Sequence, residues 1–370
     1  MKRILFISNH AGFSKFNVPY MKWFKEQGWT VDNISPGIEI KDYVDNQYDI
    51  AITRKPVSLK NILAYRNVKR IILENNYTII HCHTPVGGVF GRLCSIKARK
   101  NGTSVIYTAH GFHFYKGSSL LSWIIYYNIE KILAQYTDCI VTINEEDFSL
   151  AKRQFPTNNV SKINGIGVNL QKFKSSINNE KRAELRKNYG FKNDDFILIY
   201  VAQFVPRKNH SFLIIQLPLL LQKISSLKIL FVGNGYLMEK CKSLIRKQAL
   251  ENQVFFLGYR TDVENLYSLS DVLVSVSKQE GMPQNLVEGM ACGLPLVCSK
   301  IRGHVDIIKS SINGFLFQLE NSDEMNEYIY QLYIDKSLQE TISKQNIIDA
   351  EQFSVVNSVN AMSQIYHKYI

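Results

Sequence analysis

Short apolar runs rich in β-branched and aromatic residues recur along the chain. They are Arg3 to Ser8, Thr78 to Cys82, Ser104 to Ala109, Asp138 to Ile143, Phe196 to Val201, Leu227 to Val232, Val254 to Leu257, Asp271 to Ser275 and Leu294 to Cys298. Runs this short and this continuous predict strands buried on both faces. Segments of helical length separate many of them, among them Lys60 to Glu74, Leu120 to Gln135 and Tyr236 to Ala249. Strands alternating with helices predict an α/β, doubly wound architecture of parallel sheets covered by helices. Such folds bind ligands at the carboxyl ends of their strands.

Between Lys172 and Asp195 the apolar pattern lapses into polar residues, including "KSSINNEKRAELRKN", before a new strand begins at Phe196. The junction therefore falls at about Gly165 to Phe173, which predicts a domain over 1–165, a second, similar domain over 166–352, and a cleft that they face across. The last segment, 353–370, reads as a helix from Val356, Val359, Met362, Ile365 and Tyr366. The pattern leaves open which domain it packs on, a return to the first being one option.

Composition narrows the setting. The six cysteines are dispersed and form no CxxC, so neither a disulfide framework nor a zinc site is expected, and a reducing cytoplasm fits. Met1-Lys2-Arg3 leads straight into a strand, without the features of a secretory signal. The longest apolar run, Phe212 to Leu221, falls short of the ~20 residues that a membrane span requires. A formal charge of +12 favours an anionic partner: nucleic acid, an acidic membrane or a phosphorylated substrate. No aromatic RNA-binding motif, zinc-finger spacing or basic zipper is present, which argues against nucleic acid.

The sharpest local signal is "EGMPQNLVEGMACGLPLV", with Glu280 and Glu288 on either side of a Gly-Met-Pro turn. On one continuous helix eight residues advance about 800°, so the two carboxylates would not stack. With Pro283 at the first helical position, Glu280 falls in the preceding loop and Glu288 on the second turn. Both carboxylates then frame a helix N-terminus, whose free N–H groups and dipole suit a phosphate.

Other residues gather at predicted strand ends. The strand ending at Val201 runs into "AQFVPRKNH", which puts Lys208 within reach of a phosphate; a solvated surface lysine is the plain alternative. "FVGNG" (231–235) and "FLGY" (256–259) are strands ending in glycine, which either admit a ligand close to the backbone or are ordinary turns. No GxGxxG follows the first strand, where "SNHAGFSKF" has only Gly12, and no GxxxxGK[ST] loop occurs. His81 and His83 share one face of a strand, a possible half of a zinc site without an obvious third ligand.

Together "GIGV" (165–168), Lys208, "VGNG" (232–235), "FLGYR" (256–260) and the Glu280/Glu288 block resemble the retaining nucleotide-sugar glycosyltransferases of family 4, which have the two-domain GT-B fold of paired Rossmann-like sheets. "HCHTPVGGVFGR" (81–92), "YTAHGFHFYKG" (107–117) and "IRGHVDII" (301–308) are similar to the bacterial capsule, exopolysaccharide and O-antigen branch.

The resemblance implies that the second domain binds a UDP-sugar and that the acceptor is a polyprenyl-diphosphate-linked saccharide. Glu288 would take the ribose hydroxyls and Glu280 the hydroxyls of the transferred sugar. Lys208 would neutralise the departing diphosphate, helped by backbone N–H groups around Gln284, Asn285 and Leu286. Arg207, Gly233, Gly235, Tyr259, Gly281 and Met282 would complete the donor site. No cofactor or metal is implied. His110, after the strand Ser104 to Ala109, would act near the donor sugar and the incoming hydroxyl, with Gly12, His10 and His113 on the acceptor side. The sequence departs from the family at Gln203, where an arginine is usual; Arg207 beside Lys208 is a possible replacement for the lost charge.

The segment "SSLLSWIIYYNIEKILAQY" (118–136) admits two readings, an interfacial membrane helix or a buried helix over the first sheet. Lys15, Lys22, Arg54, Lys55, Lys60, Arg66, Lys69 and Arg70 suit an acidic membrane surface. A cytoplasmic, peripheral membrane enzyme is the expectation. Its rivals are a sugar-nucleotide epimerase of the same fold and a non-catalytic sugar-nucleotide-binding scaffold.

Overall fold

A computed structural model describes residues 2–37, 42–53, 58–157, 159–173 and 179–370. Arg54, Lys55 and the start of the polar stretch at 174–178 lie outside the described residues. The chain divides into two compact units, Met1–Gly167 with Val355–Ile370, and Val168–Ser354.

The first unit is built on seven strands: β1 (Arg3–Ile7), β2 (Thr30–Ser35), β3 (Asn46–Asp49), β4 (Ile79–His83), β5 (Ser104–Ala109), β6 (Cys139–Thr142) and β7 (Val160–Lys162). They lie in the order β3-β2-β1-β4-β5-β6-β7, and every pairing is parallel. Ile4 is in register with Val31 on one side and Ile79 on the other. The order reverses direction at β1 and β4, and the carboxyl ends of those strands are where a sheet of this kind opens to a ligand. The C-terminal helix Val355–Tyr366 belongs to this unit, with the Tyr20 hydroxyl 2.7 Å from Ser358 Oγ.

The second unit has six parallel strands in the order β10-β9-β8-β11-β12-β13. They are β8 (Phe196–Val201), β9 (Leu227–Val232), β10 (Val254–Gly258), β11 (Val272–Ser275), β12 (Leu296–Ser299) and β13 (Gly314–Phe317). Side chains of β8 divide by parity. Phe196, Leu198 and Tyr200 enter one core with Leu213, Leu217 and Phe231, while Ile197 and Ile199 enter the other with Leu273, Leu286 and Met290. A sheet with a full apolar core on each face needs continuous apolar strands, which explains why these runs were readable. The switch point here lies between β8 and β11.

Four strands carry too little apolar pattern to be predicted. β2 contains the fully buried Asp32 and Asn33, made tolerable by partners: Asp32 accepts from Arg3, Asn46 and Tyr77, and Asn33 donates to Gln47. β3 and β7 are short polar edges, and β13 is a four-residue edge strand. The predicted helix at 236–249 is Met238–Lys247. The run at 212–221 forms the helix His210–Lys223, with Pro218 inside it. Among the described residues no helix is long and apolar enough to cross a membrane.

Segment 118–136 is broken into a short helix Leu120–Ser122, a π-helical turn Trp123–Tyr127 and a helix Asn128–Ala134. The reading of this segment as a buried helix is overturned. Its inner side buries Glu130, Leu133 and Ala134 and packs Trp123 and Tyr127 on the first core, while Leu120, Leu121, Ile124, Ile125, Ile129 and Ile132 face outward.

Candidate functional site

In the second unit, two loops leave the carboxyl ends of β8 and β11 and tie themselves together. The first ends in a 3₁₀ turn, Pro206–Lys208, and the second runs from Val276 to Pro283. The Lys278 N–H donates to Arg207 O (2.7 Å), and the buried Tyr200 hydroxyl donates to Lys208 O (2.6 Å) while meeting Ser277 Oγ (3.0 Å). These bonds fix the backbone on which the charged residues stand.

Their side chains converge on Glu280, which is 7% exposed. Lys208 Nζ donates to Glu280 Oε1, Arg207 Nη1 lies 3.4 Å from Oε2, and Arg302 Nε donates to the Glu280 carbonyl at 3.1 Å. Burial alone would raise the Glu280 carboxyl, but the charges of Lys208 and Arg207 and the hydrogen bond from Lys208 hold it below the usual carboxylate range. Burial also pulls the Lys208 ammonium below the ordinary lysine value, a shift that Glu280 opposes. The two side chains form a buried ion pair, with the lysine 10% exposed and largely shielded from water.

The helix after this loop is Gln284–Ala291, with Pro283 as its N-cap (φ −77°, ψ 106°). That corrects the expected placement of Pro283 inside the first turn by one residue, and Glu280 and Glu288 keep their expected positions before the helix and on its second turn. Of the three amides expected to face a ligand, the Leu286 N–H is already donated to Pro283 O (3.2 Å). Asn285 uses its side chain to anchor the helix, donating to Val201 O at the end of β8 (3.1 Å). Glu288 accepts from the buried Tyr267 hydroxyl (3.0 Å). Burial raises the Glu288 carboxyl; the Tyr267 bond and Lys172 counter it in part.

Gly233 and Gly235 are required by packing within the chain. A Cβ on Gly233 would stand 2.2 Å from Ala202 O, and one on Gly235 2.5 Å from Phe204 O. They admit the neighbouring backbone that carries Gln203. Gln203 and Tyr259 are exposed, and Met282 is half-buried against the apolar core. Gly281 lies so close to Gly303 that a Cβ there would come within 2.7 Å of Gly281 O.

Arg302 and His304 were not expected in the site, although "IRGHVDII" had stood out as a motif. His304 is fully buried, and its ring nitrogens lie 2.7 Å from Ser299 O and 3.2 Å from Ser275 Oγ. Burial pulls it down to about 4, so it is neutral, and its hydrogen bonds join the ends of β11 and β12 at Ser275 and Ser299.

In the first unit, three histidines gather at the carboxyl ends of β4 and β5. His83 Nδ1 lies 3.2 Å from His110 Nε2, and Phe13 meets the His110 ring edge-on at 4.4 Å. Burial pulls His110 and His81 down to about 3 and His83 well below the ordinary value, so all three are neutral. His81 has both nitrogens engaged, by the Tyr366 hydroxyl (2.6 Å) and Thr108 Oγ1 (2.8 Å). A zinc site on His81 and His83 is therefore overturned, and no group of three or more metal-binding side chains exists among the described residues. His10 caps the short helix Ala11–Ser14 and is exposed; its ring is the nearest neighbour that a Cβ on Gly12 would meet. His113 is exposed, with its ring against Tyr126 (4.9 Å).

Comparison with known proteins places both units. Residues 181–348 match the family model described as glycosyl transferases group 1, and residues 3–144 match glycosyl transferase 4-like. The putative glycosyltransferase EpsD of Bacillus subtilis (strain 168) is 41% identical over 371 residues, covering 100% of this chain and 97% of that protein. An Escherichia coli UDP-Gal:alpha-D-GlcNAc-diphosphoundecaprenol alpha-1,3-galactosyltransferase is 27% identical over 88% of this chain and 86% of its own. The crystal structure of Anabaena Alr3699/HepE in complex with UDP and glucose superposes with a TM-score of 0.81 at 19% identity, over 100% of both chains.

Proposed function

This chain belongs to the group 1 glycosyltransferases, in family 4 with the GT-B fold, and on that premise we propose that it moves a hexose or N-acetylhexosamine from a UDP-sugar to a lipid-linked saccharide, with retention of anomeric configuration, in bacterial surface polysaccharide assembly at the inner face of the cell membrane. The observation that carries this reading is the convergence of Lys208, Arg207 and Arg302 on Glu280 at the switch point, just ahead of a helix N-terminus. The E. coli relative, named for a UDP-Gal donor and a diphosphoundecaprenol-linked acceptor, supports the donor and acceptor classes. HepE, solved with UDP and glucose, supports the donor.

Each residue then has a role. Glu288, steadied by Tyr267, accepts hydrogen bonds from the ribose hydroxyls. Glu280 positions the transferred sugar through its hydroxyls. Lys208 and Arg207 exchange part of their contact with Glu280 for the diphosphate, whose negative charge grows as the glycosidic bond breaks. Amides at the start of Gln284–Ala291 add the helix dipole. The leaving diphosphate oxygen takes the proton from the acceptor hydroxyl as that hydroxyl attacks the same face of the sugar. Neither glutamate forms a bond to it. In the first unit, His110 is the group that meets the acceptor, its ring held by His83 and Phe13.

Fixed cations take the part that a divalent ion plays in other transferases, so the reaction proceeds without metal. The test is to supply purified protein with UDP-sugars, with and without a polyprenyl-diphosphate-linked saccharide, in the presence of EDTA. Acceptor-dependent glycoside formation with UDP release is the expected result. A changed sugar nucleotide formed without acceptor, or binding with no turnover across a broad acceptor set, would overturn it.

A further inference from the structure

On the ribose role given above to Glu288, we infer that Lys172, in the short helix Leu170–Phe173 near the start of the second unit, is a positioning residue for donor binding: it offsets the charge of Glu264 beside Glu288, so that Glu288 meets the ribose as a carboxylate. The helix Val263–Leu269 builds the polar face against Glu288. Glu264 and Tyr267 stand three residues apart on it, so their side chains share one face. The Tyr267 hydroxyl donates to Glu288 Oε2 at 3.0 Å. Glu264 therefore stands on the face that meets Glu288. Its Oε2 is enclosed, and Glu288 is itself half-buried. Two carboxylates placed together in this way disfavour each other's ionisation.

Lys172 supplies the cation on that face. Its Nζ lies 3.1 Å from Glu264 Oε2, donates to Thr261 O at 3.2 Å, and sits 5.6 Å from the centre of the Phe173 ring. The lysine side chain is 46% exposed, and an ion pair as open as this adds little to stability. Its backbone, however, is seated firmly. Leu170 and Phe173 enter the core that holds Leu286, Val287 and Met290 of the Glu288 helix. The Phe173 ring meets the Tyr267 ring at 6.1 Å, and Phe173 O accepts from Cys292 Sγ at 3.3 Å. The segment that carries Lys172 thus rests on the tyrosine that holds Glu288 and on the end of the helix that bears it.

The titratable groups around Glu288 come from three elements. Val263–Leu269 brings Tyr267 and Glu264, Leu170–Phe173 brings Lys172, and Cys292 follows Glu288 on its own helix with a thiol that burial pushes up to about 12. The helix Lys336–Ala350 packs against the same helix and meets its end at Gly293 with the uncharged Ser343 and Ile347, and the neighbouring β12, Leu296–Ser299, is also uncharged. Burial raises the Glu288 carboxyl and Glu264 adds to the rise, while the Tyr267 hydrogen bond and Lys172 oppose it. A protonated Glu288 loses acceptor capacity for the ribose hydroxyls. Recognition of the ribose is therefore complete where Glu288 is ionised and declines as pH falls through its raised value; Lys172 keeps that decline on the acid side.

Titration of the full chain with UDP and with 2′,3′-dideoxy-UDP, from about pH 5 to about pH 8.5, tests it, because the ratio of the two affinities reads the ribose hydroxyls while ionisation of the diphosphate cancels. E288A should bind the two nucleotides alike at every pH. K172M should lose about threefold of the wild-type preference for UDP at the acid end and none at the alkaline end, and K172R should follow the wild type. E264Q should gain up to about twofold at the acid end. K172M and E264Q break the same ion pair, so a merely structural tie moves both in one direction, whereas charge balance moves them apart. Should K172M melt well below the wild type, K172Q, which keeps a donor for Thr261 O, takes its place. If E288A keeps the preference for UDP, the ribose assignment falls and the role of Lys172 with it. If E288A loses the preference while K172M and E264Q change alike, or K172M tracks the wild type throughout, the role of Lys172 alone is overturned.

Discussion

Replacing Glu280 by glutamine separates the two jobs that the structure gives this residue. Glutamine keeps the shape and an oxygen that accepts from Lys208, and removes the charge. Breaking a buried ion pair outright costs about 3–5 kcal/mol, because the remaining charge is stranded. Lys208 and Glu280 have side chains only 10% and 7% exposed, so that penalty applies here. The retained hydrogen bond to a charged group returns about 1.5 kcal/mol or more, leaving a net loss of roughly 2 kcal/mol. For a unit of this size that corresponds to a fall of about 5 °C in the melting temperature. UDP should then stabilise E280Q at least as strongly as the wild type, since its diphosphate offers Lys208 the anion that it has lost. Transfer should fall about 100-fold in kcat, the signature of an interaction made chiefly in the transition state. Calorimetric titration with UDP, melting curves with and without UDP, and steady-state transfer measure the three quantities. If UDP affinity falls as far as kcat, or the unliganded variant melts with the wild type, Glu280 and Lys208 do not share the coupling argued for them.

Three further outcomes follow from the same geometry. E288A should weaken UDP binding about tenfold by removing the carboxylate that Tyr267 holds, as titration will show; unchanged affinity would remove Glu288 from the ribose site. Q203R should tighten UDP binding about three- to tenfold by restoring a cation on the exposed loop after β8, and an unaltered Kd would mean that the diphosphate lies elsewhere. The fully buried His81 titrates near 3 in the fold against 6.5 when free, so protons favour the unfolded chain between those values. Its contribution is complete above about pH 6.5 and declines as pH falls toward 3, by up to about 4 kcal/mol. Urea unfolding at a series of pH values should show a shallower acid loss for H81Q than for the wild type; parallel curves would refute the assignment.

Much of this could be read from the chain, and the rest was hidden for physical reasons. Strands β8 and β9 were legible to the residue because two cores demand apolar side chains at every position but one, Lys228 near the start of β9. β2 was not, since Asp32 and Asn33 interrupt its buried apolar residues Val31 and Ile34, and the partners they use, Arg3, Tyr77 and Gln47, come from elsewhere in the chain. The frame of Glu280 and Glu288 about a helix start followed from spacing and a proline. That Lys208 would close on Glu280 did not, because 72 residues separate them and only the switch point between β8 and β11 brings them together. Gly233 and Gly235 announced a close approach without saying of what, and the approaching group is the backbone at Ala202 and Phe204. The exposed aliphatics of 120–132 satisfy a helical period equally well facing in or out. Only the burial of Glu130 on Arg92 decides the side.

The Tyr366 hydroxyl that engages His81 comes from the far end of the polypeptide, 285 residues later, and Ser358, which meets Tyr20, arrives almost as late. During synthesis on the ribosome the Val168–Ser354 unit has all of its sequence before the unit that started first. The earlier-made unit must wait, with His81 lacking its hydroxyl partner, until the closing helix emerges. A frameshift or nonsense codon near the end would thus cripple the half encoded at the beginning.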